Sequence, residues 1–269
     1  MARPIQAIDV HAHFGRYRTA PPSELQEALY SGEAQLVLDR ARKAHTCLTI
    51  VSPLEGLRPR LANDPVSANV HASELVARVD GLMHWVIVDP LRPETFEQAQ
   101  DMLGRPKCAG IKVHPEEHGY RIAEHAEAIF RFAADRRAVI QSHSGEQNSM
   151  PEDFVRFADR YPEATLILSH LGCGWDGDLS HQVRAVQASK VGNLYTDTSS
   201  AKSITSGLLE WAVAQIGASR ILYGTDSPLY FAPMQRARVE RADISEADRR
   251  LILRDNALRI LGLRPSKRR

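Results

Sequence analysis

Two histidines one residue apart, His11 and His13, lie in the run Asp9-Val10-His11-Ala12-His13 near the start of the chain. In an extended backbone side chains alternate with period two, so both imidazoles face one side and two nitrogen donors can reach one ion. Further on, His143 occurs in Gln141-Ser142-His143-Ser144-Gly145-Glu146, His170 in Leu168-Ser169-His170-Leu171-Gly172, and Asp226 in Tyr223-Gly224-Thr225-Asp226-Ser227-Pro228. One histidine on an apolar run is more often a packed or solvated residue than a ligand. Four of them at the ends of three such runs, with a carboxylate after a fourth, are the ingredients of a divalent-metal site. Imidazole and carboxylate without thiolate suit Zn2+ first, with Mn2+, Fe2+ or Co2+ as other occupants.

Residues so far apart in sequence need elements that bring them together. Short apolar or β-branched runs recur at residues 5–10, 47–51, 83–88, 109–113, 138–141, 165–169, 193–196 and 220–223. Between them lie segments with helical spacing, at 33–44, 67–79, 93–103, 122–136, 151–160, 179–188 and 205–216. This alternation predicts right-handed βαβ units, a parallel sheet, and, with eight units, an α/β fold of the (β/α)8 TIM-barrel type. A doubly wound open sheet is the rival, but its Gly-x-Gly-x-x-Gly turn is missing; the turn after the first run reads His11-Ala12-His13-Phe14-Gly15. No linker or repeat marks a second domain, so residues 1–269 read as one barrel domain. Long loops are expected at 15–32 and 230–243, at the mouth where strand ends converge.

Composition narrows the partners. The 34 Lys+Arg nearly balance the 33 Asp+Glu, giving a net charge of +1, which argues against nucleic acid, whose binders carry a basic surplus on one face. Cys47, Cys108 and Cys173 are odd in number and far apart, which speaks against a disulfide framework and for a reducing compartment. The N-terminal residues turn polar and charged too soon for a signal peptide, and no apolar run reaches the roughly eighteen residues of a membrane span. A soluble cytoplasmic protein with no membrane partner is the expectation.

The motifs Asp-Val-His-Ala-His, Gly-Ile-Lys-Val-His-Pro, Gln-Ser-His-Ser-Gly-Glu, Leu-Ser-His-Leu-Gly and Tyr-Gly-Thr-Asp-Ser-Pro occur here in that order. In this order and spacing the chain resembles the amidohydrolase superfamily, specifically the amidohydrolase-related branch of metal-dependent (β/α)8 enzymes, from Ile8 to the Asn256-Ala257-Leu258 segment. The resemblance implies that His11, His13 and His143 bind the metal, that Asp226 binds it and handles a proton, and that His170 contacts the reacting water or substrate. Lys112, two residues before His114, has two readings. In some superfamily members a lysine on this strand is carbamylated and bridges two metals; otherwise its ammonium offsets a substrate carboxylate or pairs with an acid. The second reading, with one ion, is preferred. Glu146 and Asp197 could support a ligand or substrate, or be solvated loop carboxylates. The other histidines are expected to be solvated or to cap helices.

The expected reaction is hydrolysis of an amide, lactone or ester by a metal-activated water, with Asp226 as base and His170 stabilising the oxyanion. The alternative is a metal-dependent non-oxidative decarboxylase or hydratase, for which Lys112, Arg16, Arg18 and Arg236 are candidate holders of a substrate carboxylate. A barrel that only binds a ligand would not need a base such as Asp226. The expected partner is a small-molecule substrate, with a homodimer as the class-level assembly.

Overall fold

The structure, a computed structural model, describes residues 4–57 and 64–264; residues 1–3 of the N-terminal stretch lie outside these. The strand β1 (Ala7–Phe14) is followed by the helices α1 (Glu24–Tyr30) and α2 (Ala34–Lys43), and β2 (Thr46–Pro53) by α3 (Leu54–Leu57) and α4 (Pro65–Arg78). Then come β3 (Leu82–Ile87), α5 (Glu94–Met102), β4 (Cys108–Val113), α6 (Pro115–His118) and α7 (Ile122–Arg136). The second half runs β5 (Val139–Ser142), α8 (Pro151–Arg160), β6 (Thr165–Leu168), α9 (His181–Ala188), β7 (Leu194–Asp197), α10 (Leu208–Ile216) and β8 (Ile221–Leu222). It ends with α11 (Ala232–Glu240), α12 (Glu246–Arg250) and α13 (Asn256–Ile260).

All eight strands pair in parallel in sequence order. The ends of the sheet meet where Val10 N–H donates to Tyr223 O (2.9 Å) and His11 O accepts from the N–H groups of Thr225 (3.1 Å) and Asp226 (2.7 Å). This is the nearly closed (β/α)8 barrel that the alternation predicts, and α7 and α8 have the predicted bounds. Two predicted loops hold helices instead. Residues 15–32 contain α1, a two-turn helix whose apolar Leu25 and Leu29 stay exposed, too short for its spacing to stand out from the surrounding loop. Residues 230–243 contain α11, where arginines interrupt the apolar positions.

β1 runs past its predicted end to Phe14, which places both histidines inside a strand. It also carries an irregularity between Asp9 and Ala12. Before it, Ile8 and Val10 pack inside the barrel with Ile50, Trp85, Ile167 and Leu222. After it, Ala12 and Phe14 pack outward against Val37 and Val76 of the helical layer. The bulge therefore switches the facing of the strand just before His11, as an extra residue in a ladder does. It also frees Val10 O to accept from Trp85 Nε1–H (2.9 Å) and Gln141 Nε2–H (2.8 Å), so this carbonyl is satisfied inside the barrel.

Not every histidine outside the site is solvated. His84 and His118 are buried, and buried His181 sits between Glu152 (2.8 Å) and Asp176 (3.0 Å). The three cysteines are free. Among the described residues no helix is long and apolar enough to cross a membrane.

On the helical surface Arg238 grips Glu210 through both carboxylate oxygens. The hydrogen bond from Arg238 pulls the Glu210 carboxyl down to about 2. A depressed carboxyl adds stability above its unfolded value and loses it as pH falls through the folded one. Glu210→Gln is accordingly expected to cost about 1 kcal/mol at neutral pH. Denaturant titration should show the difference from the parent vanishing as pH drops from about 4.5 toward 2; a difference independent of pH would reject this account.

Candidate active site

At the C-terminal end of the barrel the strands deliver polar side chains to one floor. His11 Nδ1–H donates to Asp197 Oδ2 (3.1 Å) and His13 Nδ1–H to Ser52 O (3.3 Å). Each hydrogen bond fixes a tautomer, so both Nε2 atoms present lone pairs. Those lone pairs face Asp226 Oδ1, at 3.4 Å from His11 and 2.9 Å from His13. Three acceptors turned toward one another repel unless a cation lies among them. His11 is a poor place for a second proton, because burial, followed by the Lys112 ammonium, pushes it down to about 4. The ligand atoms lie within 4.8 Å of one another and all three residues are buried. This donor set fits a divalent cation, and no thiolate belongs to it.

Backbone geometry aims the carboxylate. Asp226 sits at φ 56° and His170 at φ 72°, a left-handed conformation that costs a non-glycine residue roughly 1–2 kcal/mol and recurs at functional sites. Asp9 holds the turn: its Oδ1 accepts from Thr225 N–H (3.1 Å) and its Oδ2 from the Thr225 hydroxyl (2.6 Å), while burial pushes its carboxyl up to about 8. Gly224 permits the close approach, since a Cβ there would lie 3.0 Å from His11 Cβ and 3.1 Å from Asp197 Cγ. Burial alone would raise Asp226. A proton or cation shared with His13 and His11 outweighs it and holds the group well below the usual carboxylate range.

Lys112 lies under this floor, fully buried, with Nζ–H donating to His11 Nε2 (3.2 Å). Burial pushes the ammonium down to about 8 against the pull of Asp197 and Asp226. Its hydrogen bond runs to His11; no hydrogen bond is seen from it to His143 or His170 among the described residues. His143 stands beyond the three-ligand group. Its Nδ1 is 3.0 Å from His170 Nε2, its Nε2 is 2.7 Å from Glu146 Oε2, and its ring stacks on His114 at 4.1 Å. The structure thus brings His11, His13, Asp226 and Lys112 together and leaves His143 one ring away, drawn toward Glu146. His170, which burial first and neighbouring His143 next hold well below the ordinary imidazole value, bridges the two groups, 4.9 Å from His11 between ring centres.

Asp197 is the residue that sequence reasoning undervalues. It is fully buried rather than solvated. Besides His11 it accepts from the backbone N–H groups of His170 (3.1 Å) and Ser199 (3.0 Å) and from the Ser199 hydroxyl. Its position at the end of β7 is the available signal, because every strand end of a barrel points to the same mouth.

Above the floor is a cavity of about 290 Å³ walled by Tyr17, Leu54, Leu57, Leu229 and Tyr230, with Glu117, Glu146, Cys173 and Ser200 also on its lining. Its described lining contains no Arg or Lys. Arg16 is exposed and paired with Glu27 (3.5 Å), Arg18 is exposed, and Arg236 pairs with Glu240 (2.7 Å) beside a separate hollow at Pro4 and Ile5. Of the four candidate cations for a substrate carboxylate, only Lys112 is at the site.

The amidohydrolase family profile matches residues 8–263. The chain belongs to the amidohydrolase family. None of the curated proteins compared with it matches. Among solved structures, this family member is similar to 2,6-dihydroxybenzoate decarboxylase from Rhizobium, at 17% identity and a TM-score of 0.76 over 96% of this chain and 99% of that one. A dihydroxybenzoic acid decarboxylase from Polaromonas sp. JS666, with bound manganese and the inhibitor 2-nitroresorcinol, is 16% identical with a TM-score of 0.76, covering 96% and 97%. The 5-carboxyvanillate decarboxylase of Sphingomonas paucimobilis is 14% identical with a TM-score of 0.71, covering 96% and 99%. At such identities these likenesses establish the barrel fold that this amidohydrolase-family chain shares with them.

Proposed function

We propose that this chain is a divalent-metal-dependent lyase that removes the carboxylate of a small hydroxylated aromatic acid without a redox cofactor. The observation that carries the reading is the cavity. Its volume of about 290 Å³ is at the small end for ligand sites, about 300–1,000 Å³, and its leucine and tyrosine walls suit a single ring resting above a cation-demanding floor. The aromatic acids handled by the solved relatives support it.

A divalent ion held by His11, His13 and Asp226, zinc or the manganese found in a relative, would supply positive charge beside the substrate's carboxylate and neighbouring hydroxyl. One ion suffices for this set, and the Lys112 ammonium below adds charge without carbamylation. Asp226 faces the imidazoles with Oδ1; its other oxygen is assigned to accept the substrate's hydroxyl proton and return it to the ring carbon bearing the carboxylate. The carbon–carbon bond then breaks, its electron pair restores the aromatic ring as a phenolate, and carbon dioxide leaves; water reprotonates the phenolate. His170 stands beside the reacting atoms. The free cysteines suit a cytoplasmic setting.

Hydrolysis at a carbonyl, the first expectation from the motifs, would use the same residues with water as the proton source. A panel of hydroxybenzoates and enol acids beside lactones and amides separates the two. The metal-loaded protein is expected to release carbon dioxide from at least one hydroxylated aromatic acid and to stop on chelation. Lactone or amide opening with no carbon dioxide from any acid would restore the hydrolytic reading.

A further inference from the structure

We infer that the hollow beside Arg236 is a second ligand site, remote from the imidazoles, which takes a small monocarboxylic acid with an apolar body. Pro4 and Ile5 lie on its wall just before β1 begins. It therefore opens at the N-terminal end of the barrel, whereas the histidines and Asp226 gather at the C-terminal end. Its volume of about 330 Å³ is within the range of small-molecule sites.

Arg236, on α11, is only 3% exposed. Its Nη2 donates to Glu240 Oε1 (2.7 Å), one turn further on, while its Nε and Nη1 are buried and have no acceptor among the described residues. Arg249, on α12, lines the same hollow in a similar state. Its Nη2 donates to Ala242 O (3.1 Å), and its Nε is buried without an acceptor. A guanidinium cannot shed its proton, so donors left unmet in this way call for an anion. Residues 1–3, 58–63 and 265–269, which lie outside the described ones, contain no Asp or Glu, so the missing side-chain carboxylate is not among them.

Charge and shape select the ligand. With Arg241 the wall carries three arginines against Glu240 and Glu246, an excess of one positive charge that one carboxylate balances and a phosphate dianion overshoots. Ile5 and Leu253, both on the wall and both part of one apolar cluster, suit a hydrocarbon chain or ring. Glu240, with its side chain 39% exposed, can swing into water and yield Nη2 to the incoming acid. The planar fork of Arg236 then holds that carboxylate through two N–H groups. No histidine, cysteine or hydroxyl side chain lies on the described wall, so this site binds rather than reacts.

The test uses the metal-loaded protein and 4-bromobenzoate. Soaked crystals are expected to show an anomalous bromine peak in the hollow, separate from any at the imidazole floor. Titration calorimetry should show a binding component that Arg236→Gln and, separately, Arg249→Gln weaken by at least about tenfold, and that Glu240→Gln tightens by removing the resident carboxylate. Binding at the imidazole floor should persist in all three variants. Inorganic phosphate at equal concentration should leave the component in place. Bromine at the imidazole floor alone, a peak in the hollow with no matching component in solution, or displacement by phosphate would each overturn the inference. So would parental affinity in Arg249→Gln, which decides the matter even if Arg236→Gln does not fold.

Discussion

Asp226→Asn is expected to fold as the parent does and to turn over at least ~100-fold more slowly, the scale of a lost acid–base group. Folding should survive because the backbone N–H of residue 226 still donates to His11 O, and asparagine tolerates the left-handed conformation found at φ 56°. What disappears is the negative charge facing His11 and His13 and the only oxygen in the three-ligand set able to receive a proton. Circular dichroism and chemical denaturation check the fold, elemental analysis checks the metal, and kcat is compared at equal metal occupancy. Near-parental turnover in the fully loaded variant would remove Asp226 from the proton pathway.

The second large effect is expected at Asp197. Its replacement by alanine leaves His11 Nδ1–H, the Ser199 hydroxyl and the N–H groups of His170 and Ser199 without their acceptor, at a position with no access to water. Leaving a buried donor without an acceptor costs about 1–3 kcal/mol, and with several orphaned at once a loss of at least about 3 kcal/mol is expected in denaturant unfolding. Since Asp197 also holds the His11 ring, metal affinity should fall by about 10–100-fold, as when partners of metal-bound histidines are removed. The two readouts separate its roles. A stability within about 1 kcal/mol of the parent would mean that neighbouring groups or water take over the orphaned donors. Unchanged metal affinity in a destabilised protein would mean that His11 keeps its orientation by packing alone.

Two arrangements are legible in the amino-acid sequence alone. The alternation of apolar runs with helical spacing is a local property, set by side-chain periodicity within some ten residues, and it locates all eight strands. The facing of His11 and His13 is equally local, because one intervening residue in an extended chain returns a side chain to the same side. Very short elements escape such a reading for the converse reason. α1 has only seven residues, so Leu25, Ala28 and Leu29, though helically spaced, are too few to set it apart from a loop, and the cap at Ser23 marks where it starts.

The rest is decided by contacts that no local pattern encodes. Asp197 joins His11 across 186 residues, and its isolation from water is a consequence of barrel closure rather than of its neighbours in sequence. His143 ends a strand as expected, yet Glu146, three residues on, competes for its ring, and the balance between that carboxylate and the floor of the barrel depends on distances that only the assembled sheet sets. The four candidate cations look alike as letters, and folding buries Lys112 beneath the imidazoles while sending the three arginines elsewhere. Residue types and spacing therefore determine what chemistry this chain can hold, since those follow from side-chain pKa, ligand atoms and backbone period. Which atoms share one small volume, and which tautomer each imidazole adopts there, follow from tertiary structure, because both depend on partners that meet only when the last strand closes against the first.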